Sequence, residues 1–229
     1  MLRLEDIRVT QGSFTLAADL TIPKGARVAL IGASGSGKST LLSTLSGFLW
    51  PDAGRITMAG VDVTKAPVAD RPTSILFQDG NLFPHLNVSD NIALGIAPNL
   101  RLTPEDRARV VEALAKVELD EMGDRMPSEL SGGQQSRVAL ARMLLRDKPI
   151  ALLDEPFSAL DPGLRREMLA LVRTLCEETG QTLIMATHDL RDAEKLCDRV
   201  VLLDAGKVVL DTPLKQAIRD RNGPLEPWM

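Results

Sequence analysis

The sequence has no tyrosine, two cysteines and two histidines in 229 residues. Cys176 and Cys197 each stand alone, without C-x-x-C spacing. A disulfide framework or a thiolate metal site is therefore not expected, and free thiols in a reducing compartment are. There is no excess of positive charge: the formal net charge is −4 and the isoelectric point about 5.3. That argues against nucleic acid as the main partner. Long apolar runs are missing too. The helix-like stretch 138–145 is broken by Arg142, far short of the roughly 20 residues a bilayer span needs. Work at a membrane would require spans from other subunits. The opening Met1-Leu2-Arg3-Leu4-Glu5-Asp6 carries acidic residues and no apolar signal core, so no leader is expected. Repeats and low-complexity tracts are absent. What is present is a 44% hydrophobic chain, enough for one sizeable core and not for several independent domains.

Periodicity organises that chain as α/β. Phe14, Leu16, Ala18, Leu20 and Ile22 alternate with mostly polar neighbours, as a strand with one buried face does. Leu2, Leu4, Ile7 and Val9 suggest a shorter strand before it, with Gln11-Gly12-Ser13 as the turn. Residues 28–31 are continuously apolar, as in a strand buried on both faces. Leu41, Leu42, Leu45, Phe48 and Leu49 then recur at helical spacing. Strands are expected at 56–63 and 74–77. From about Asn81 to Arg146 strand signals vanish, and amphipathic stretches near 104–117 and 134–145 read as a helical insert. Strand 150–153, helix 163–178, strand 182–186 and helix 190–198 follow. A hairpin, 200–203 and 208–210, turns at Asp204-Ala205-Gly206. The tail from Asn222, with Pro224 and Pro227, is expected to be loosely held.

Between the strand at 28–31 and the helix after it lies Gly32-Ala33-Ser34-Gly35-Ser36-Gly37-Lys38-Ser39, which fits the phosphate-cradling pattern G-x-x-x-x-G-K-[ST]. Its glycines let backbone N–H groups approach phosphate oxygens, and the helix that follows points its positive end there. Lys38 adds a cation for the β and γ phosphates, Ser39 a hydroxyl for Mg²⁺, and Thr40 a donor for the α phosphate. Asp154 and Glu155 end the strand 150–153. Alone, such a pair is most often a solvated strand end. In an open parallel sheet, however, ligands gather at the carboxyl ends of strands. That places Asp154 to hold the metal and Glu155 to polarise an attacking water as general base. Ser131 before Gly132, Gly133 and Gln134 reads on physical grounds as an ordinary helix N-cap. Gln78 after an apolar run reads as a surface residue, His188 after Ala186-Thr187 as a structural histidine, and Asp161 before Pro162 as a helix cap.

Taken together and in order, these segments resemble the ATP-binding cassette ATPases. The resemblance runs from Met1 to about Ile218 and is carried by the Gly32–Ser39 loop, Gln78, Leu130-Ser131-Gly132-Gly133-Gln134, Asp154-Glu155, Ser158-Ala159-Leu160-Asp161 and His188. It implies a P-loop NTPase with a mainly parallel core sheet, an N-terminal antiparallel β subdomain and a helical insert. The whole chain, 1–229, would be one ATPase domain. Residues 1–80 and 147–220 would form its core, 81–146 the helical subdomain, and 221–229 a tail. It implies ATP with Mg²⁺, and a head-to-tail dimer in which Ser131, Gly132, Gly133 and Gln134 reach the ATP held by the other copy's loop. Gln78 would touch Mg²⁺ or water, His188 the γ phosphate, and Asp161 would run along the dimer seam.

Within the family, Gly47-Phe48-Leu49-Trp50-Pro51, residues 71–86 and Asn91-Ile92-Ala93-Leu94-Gly95 are similar to the ATPases of bacterial thiamine importers. Importer ATPases for sugar, polyamine or iron usually carry an added regulatory domain, for which this chain has no room. The resemblance implies transmembrane permease subunits, a periplasmic solute-binding protein acting through them, and a place on the cytoplasmic face of the inner membrane. The alternatives are an importer ATPase for another small solute and a soluble DNA-repair ATPase. The second would need coiled coils between Lys38 and Glu129. An exporter ATPase would carry fused membrane spans. Two positions depart from the family. Gln11 stands where an aromatic residue, often tyrosine, stacks on adenine, and Phe14, by its place in an alternating strand, is assigned to the core. Gln135 stands where arginine commonly follows the signature.

Overall fold

The computed structural model describes residues 1–78 and 81–228; Asp79 and Gly80, part of the segment 71–86 compared above, and Met229 lie outside the described residues. In chain order the elements are β1 (Leu2–Gln11), β2 (Phe14–Ile22), β3 (Arg27–Ile31), α1 (Lys38–Ser46), β4 (Ala53–Met58), β5 (Val61–Asp62), β6 (Thr73–Leu76), α2 (Val88–Ala93), α3 (Pro104–Lys116), α4 (Gly132–Leu145), β7 (Ile150–Asp154), α5 (Pro162–Thr179), β8 (Thr182–Ala186), α6 (Leu190–Leu196), β9 (Arg199–Asp204), β10 (Lys207–Pro213) and α7 (Leu214–Arg219). Among the described residues the strands form one sheet in the order β5-β4-β1-β2-β10-β9-β3-β8-β7-β6. From β9 to β6 every pairing is parallel. At the other end β1, β2, β4 and β5 pair antiparallel, and one parallel pairing, Lys207 with Ala17, joins β10 to β2.

The continuous apolar runs of β3, β7 and β8 are explained by burial on both faces. Ala29, Ile31, Ala151, Leu153, Leu183 and Met185 enter the core cluster that α4, α5 and α6 cover. Their alternates Val28, Leu30, Ile150, Leu152, Ile184 and Ala186 enter the cluster shared with α1 and the antiparallel strands. A third cluster, with Val88, Ile92, Val110, Leu114 and Val138, lies among α2, α3 and α4. These helices start where the sequence supplies caps. Thr103 and Asp106 form a reciprocal capping box ahead of α3, with Pro104 at the first helical position.

Four expectations change. β1 is no shorter than β2. Its alternation slips between Leu4 and Ile7 because a bulge there puts Asp6 at φ 49°. The expected strand 56–63 is two strands, β4 and β5, folded over Ala59-Gly60, both at positive φ. Helix α2 was not expected, since six residues are too few to display a helical period. The tail is anchored rather than loose: Leu225 is fully buried in the main core, and Trp228 packs against it.

One buried cation holds α1 in place. Arg71 has no exposed surface. Its guanidinium donates to the carbonyls of Thr44 at 2.9 Å, Leu45 at 3.2 Å, Ala66 at 3.1 Å and Thr64 at 3.1 Å. Thr44 and Leu45 lie in the last turn of α1, so the cation also meets the negative end of that helix. Replacing Arg71 with methionine leaves buried carbonyls without donors. Arg71→Met is expected to lower unfolding free energy by about 3 kcal/mol or more, read as a shifted urea midpoint at unchanged slope. A loss under about 1 kcal/mol would contradict this assignment of the helix anchor.

Candidate functional site

Strand β3 ends at Ile31, and the glycine loop turns at once into α1. Two glycines are sterically required. A Cβ on Gly32 would lie 2.4 Å from the backbone oxygen of Leu203, and Gly37, at φ 105°, would bring one 2.9 Å from the Phe14 ring. Lys38 folds back over its own loop. Its Nζ donates to the carbonyl of Gly32 at 2.7 Å and of Ala33 at 3.1 Å. Two of its three donors are used this way. The ammonium is buried, and the loop is already wrapped around it.

Beside this loop the register of the parallel strands delivers the other groups. Ala186 of β8 pairs with Leu30 on one side and Asp154 on the other. The three strands therefore end level, and the residues after them leave the sheet together. Ser39 donates its hydroxyl to the carboxylate of Asp154. Burial pushes the Asp154 carboxyl up, the Ser39 hydrogen bond opposes this, Glu155 adds to it, and Lys38 draws it down. Glu155 has φ 45°, a strained value for a side chain of this size. Its N–H donates to the Ala186 carbonyl at 3.1 Å, and its Oε2 lies 3.0 Å from Nδ1 of His188.

A cavity of about 660 Å³ gathers Ser34, Gly35, Gly37, Lys38, Ser39, Thr40, Glu155 and His188. Gln11 and Phe14 complete its lining. Phe14, expected in the core, packs half-buried against the second core cluster and also forms part of the cavity wall. The hairpin turn at Gly12-Ser13 swings the first residue of β2 beside α1, which alternation alone does not reveal. Gln11 accepts a hydrogen bond from Thr40 at 3.3 Å.

The remaining candidates lie elsewhere on the chain. Ser131 caps α4, accepting from the N–H of Gln134 at 3.3 Å, while Gln134 Oε1 accepts from the Ser131 N–H at 2.9 Å. Ser131 and Gly132 are exposed, Gly133 is buried, and none of the four lines the cavity. Gln135, at the family's arginine position, donates to the carbonyls of Pro127 at 3.0 Å and Leu130 at 3.3 Å, tying the turn before α4 to the helix. Asp161 caps α5 through the N–H groups of Gly163 and Leu164. Gln78 is exposed beyond the end of β6 and is not part of the cavity wall. Gly32, Ala33 and Ser36 sit in the loop itself, Gly32 and Ser36 buried. Buried Arg71 and partly buried Arg165 were not singled out by sequence, because a cation's long-range partners leave no signature in periodicity.

The donors at Ser39 and Asp154 are hard oxygens, with one carboxylate held above its ordinary range by burial. That set suits a Mg²⁺ ion completed by phosphate oxygens. Among the described residues no cluster of three or more acidic, histidine or cysteine side chains forms a self-sufficient metal site. No helix among them is long and apolar enough to cross a membrane.

Comparison with known proteins identifies the family. Residues 16–158 match the family described as ABC transporter. The chain is 79% identical over 229 residues to the thiamine import ATP-binding protein ThiQ of Jannaschia sp. (strain CCS1), covering all of both chains. It is 50% identical over 220 residues to the ThiQ of Cereibacter sphaeroides, covering 96% of this chain and 95% of that one. Among solved structures, the ATP-binding cassette MJ0796, in a dimeric post-hydrolysis state bound to ADP and Pi, superposes with a TM-score of 0.79 at 32% identity, covering 93% of this chain and 99% of that one. CbiO1 of Clostridium perfringens, part of the ABC transporter complex CbiONQ, gives 0.86 at 30% identity, covering 96% of this chain and 91% of that one. With a phosphate loop, a strand-end carboxylate pair and the signature helix in one matching fold, the chain belongs to the ABC transporter family as one of its ATP-binding, ATP-hydrolysing subunits.

Proposed function

We propose that this chain is the energy-coupling ATPase of a bacterial importer for thiamine or its phosphate esters. Two copies would stand head to tail and sandwich two ATP molecules. The thiamine assignment rests on the 79% identity to a thiamine import ATP-binding protein. The observation that carries the dimer is the separation of the two phosphate-binding segments. The Gly32–Thr40 cavity holds the hydrolytic groups, whereas the exposed cap of α4, Ser131 and Gly132, lies outside it. A helix N-terminus of this kind is an anion site that only another copy's ATP would fill.

In this reading the loop N–H groups and the remaining donor of Lys38 hold the β and γ phosphates, and Thr40 takes the α phosphate. Ser39 and Asp154 would hold Mg²⁺, with Gln78 meeting it or its water in the closed state. The metal, when bound, neutralises charge on the β and γ oxygens. Glu155 orients and deprotonates the attacking water. Its strained backbone supports such a role, since side chains held at positive φ cluster at active sites. His188 donates Nδ1–H to Glu155 and meets the γ phosphate through Nε2. Asp161 would lie along the seam, and Phe14 would cover the adenine that Gln11 leaves without an aromatic partner.

Coupling to the membrane requires a docking surface. A groove of about 630 Å³ is lined by Phe48, Phe77, Phe83, Leu86, Leu94 and Arg142, among others. Phe48 is 53% and Phe83 45% exposed. Leu82, by contrast, is partly buried and packs between the main core and the helical cluster. The groove thus has apolar side chains not needed for internal packing. We assign it to a short helix of the transmembrane subunit, which would place the chain peripherally on the cytoplasmic face of the inner membrane. A loaded periplasmic binding protein would act through that subunit.

Two experiments test this account. Glu155→Gln is expected to keep ATP affinity, to lose about 10²–10⁴-fold in turnover, and to accumulate an ATP-bound dimer visible by mass. Near-native turnover would remove Glu155 as the base. Phe83→Ala and Leu86→Ala are expected to weaken assembly with the permease while the purified chain still binds ATP. In the reconstituted complex, ATPase activity should rise with a thiamine-loaded binding protein. Stimulation by another solute alone would remove the thiamine assignment, and intact coupling in both variants would remove the groove.

A further inference from the structure

A partly buried cluster of charge lies directly behind Glu155 and His188. Arg165, in the first turn of α5, pairs its Nη2 with Oδ2 of Asp192, and its Nη1 lies 4.0 Å from Oδ2 of Asp189. Asp192 is 5% exposed. Burial pushes its carboxyl up, and the Arg165 guanidinium pulls the other way. Asp189 is held below its ordinary range, first by the side-chain hydrogen bond from Arg191. The Nε of Arg165 is buried without a hydrogen-bond partner. Arg165 and Asp192 wall a small cavity of about 10 Å³ together with Glu155, Ser158, Thr187 and His188.

This is not an economical way to hold α5 against α6. Met168, Leu169 and Val172 already share a core cluster with Leu190, Ala193 and Leu196. A buried ion pair is often no more stabilising than apolar side chains of the same volume, and one donor here stays unpaired. What the guanidinium adds is one directed bond, Nη2 to Asp192, with a second carboxylate, Asp189, nearby but beyond hydrogen-bond reach. Asp189 caps α6, immediately follows His188, and accepts the N–H of Asp192 at its carbonyl at 3.2 Å. On the other side, the N–H of Arg165 donates to the carbonyl of Asp161 at 2.9 Å, within the turn that Asp161 caps. Ser158, at the start of the same loop, donates its hydroxyl to the carbonyl of Glu155 at 3.1 Å. The seam loop 158–161 is thus joined to the Glu155–His188 pair at both ends, once through the backbone of Glu155 and once through Arg165.

We propose that Arg165 is a positioning residue for hydrolysis. Its bond to Asp192, carried through the first turn of α6 to Asp189, sets where His188 stands relative to Glu155, and ties that placement to the loop that a second copy would touch. This rests on the reading of Glu155 and His188 as the hydrolytic pair. A shift of about 1 Å at reacting groups can cost about 100-fold in rate.

The test is a double-mutant cycle on the full chain. Arg165→Met is expected to lower turnover by about 10–100-fold, with ATP affinity within about twofold of native by calorimetry. Arg165→Lys, which keeps the charge and loses the planar guanidinium, should fall between native and Arg165→Met. Combined with His188→Ala, Arg165→Met should add less than about twofold further loss, because both act through one group. A residue that merely stabilises the fold would instead multiply the two losses, and that result would overturn the proposal. So would native turnover in Arg165→Met. If Arg165→Met does not fold, Asp192→Asn breaks the same pair from the other side with an isosteric group, and native turnover there has the same force. Unaffected turnover in His188→Ala defeats the reading of the pair itself. Turnover lost in His188→Ala but kept in Arg165→Met defeats only the role of Arg165.

Discussion

The site depends above all on the register of three parallel strands. Ala186 pairs with Leu30 and with Asp154, so β3, β7 and β8 end level. Two backbone bonds continue the alignment past the sheet, Thr187 N–H to Leu30 carbonyl and Glu155 N–H to Ala186 carbonyl, both 3.1 Å. The phosphate loop, the carboxylate pair and the histidine therefore emerge side by side. Because side chains alternate along a strand, a slip of one residue in β7 would exchange Asp154 for a neighbour and move Leu152 and Leu153 to opposite faces. Burial on both faces forbids that slip. The core clusters on either side fix the register, and the register fixes the chemistry.

The same alignment underlies the proposal that each ATP is shared between two copies. The groups that follow the level strand ends gather on one cavity: the Lys38 cation, the Ser39 hydroxyl, the Glu155 carboxylate and the His188 imidazole. The capped start of α4 is attached to the helical cluster instead, and its position follows from the packing of α2, α3 and α4. Nothing within one copy brings it to the loop. In the proposed dimer a second copy would supply the missing face, with ATP as the bridge. The loop and the α4 start both present positive helix ends, which repel without an anion between them.

How much of this was legible in the sequence depended on the kind of signal. Glycine spacing, continuous apolar strands and the Asp204–Gly206 turn report local backbone demands, and they located the parallel sheet, the phosphate loop and the last hairpin well. The bulge at Asp6 was visible only as a broken alternation, because an inserted residue shifts the period without changing composition. Phe14 was read only in part, for a different reason: it packs against the second core cluster and also lines the cavity. Its alternation is genuine, yet the end of a strand beside a tight turn faces a neighbouring element that periodicity cannot name. Leu225 was missed behind two prolines that read as a loose tail, although a single buried leucine anchors it. Arg71 and Arg165 were invisible because long-range partners decide whether an arginine is buried, and the sequence order hides them.

The central claim is that each ATP is shared between two copies, and a mixing experiment tests it most directly. A Lys38→Ala chain and a Ser131→Arg chain are each expected to be nearly inactive alone. In a mixed dimer both lesions fall on one composite site and the other is intact. Random pairing should therefore restore up to about one quarter of native turnover, with half the dimers mixed and one good site in each. A mixture no more active than its components, or native turnover in either variant alone, would contradict the shared site.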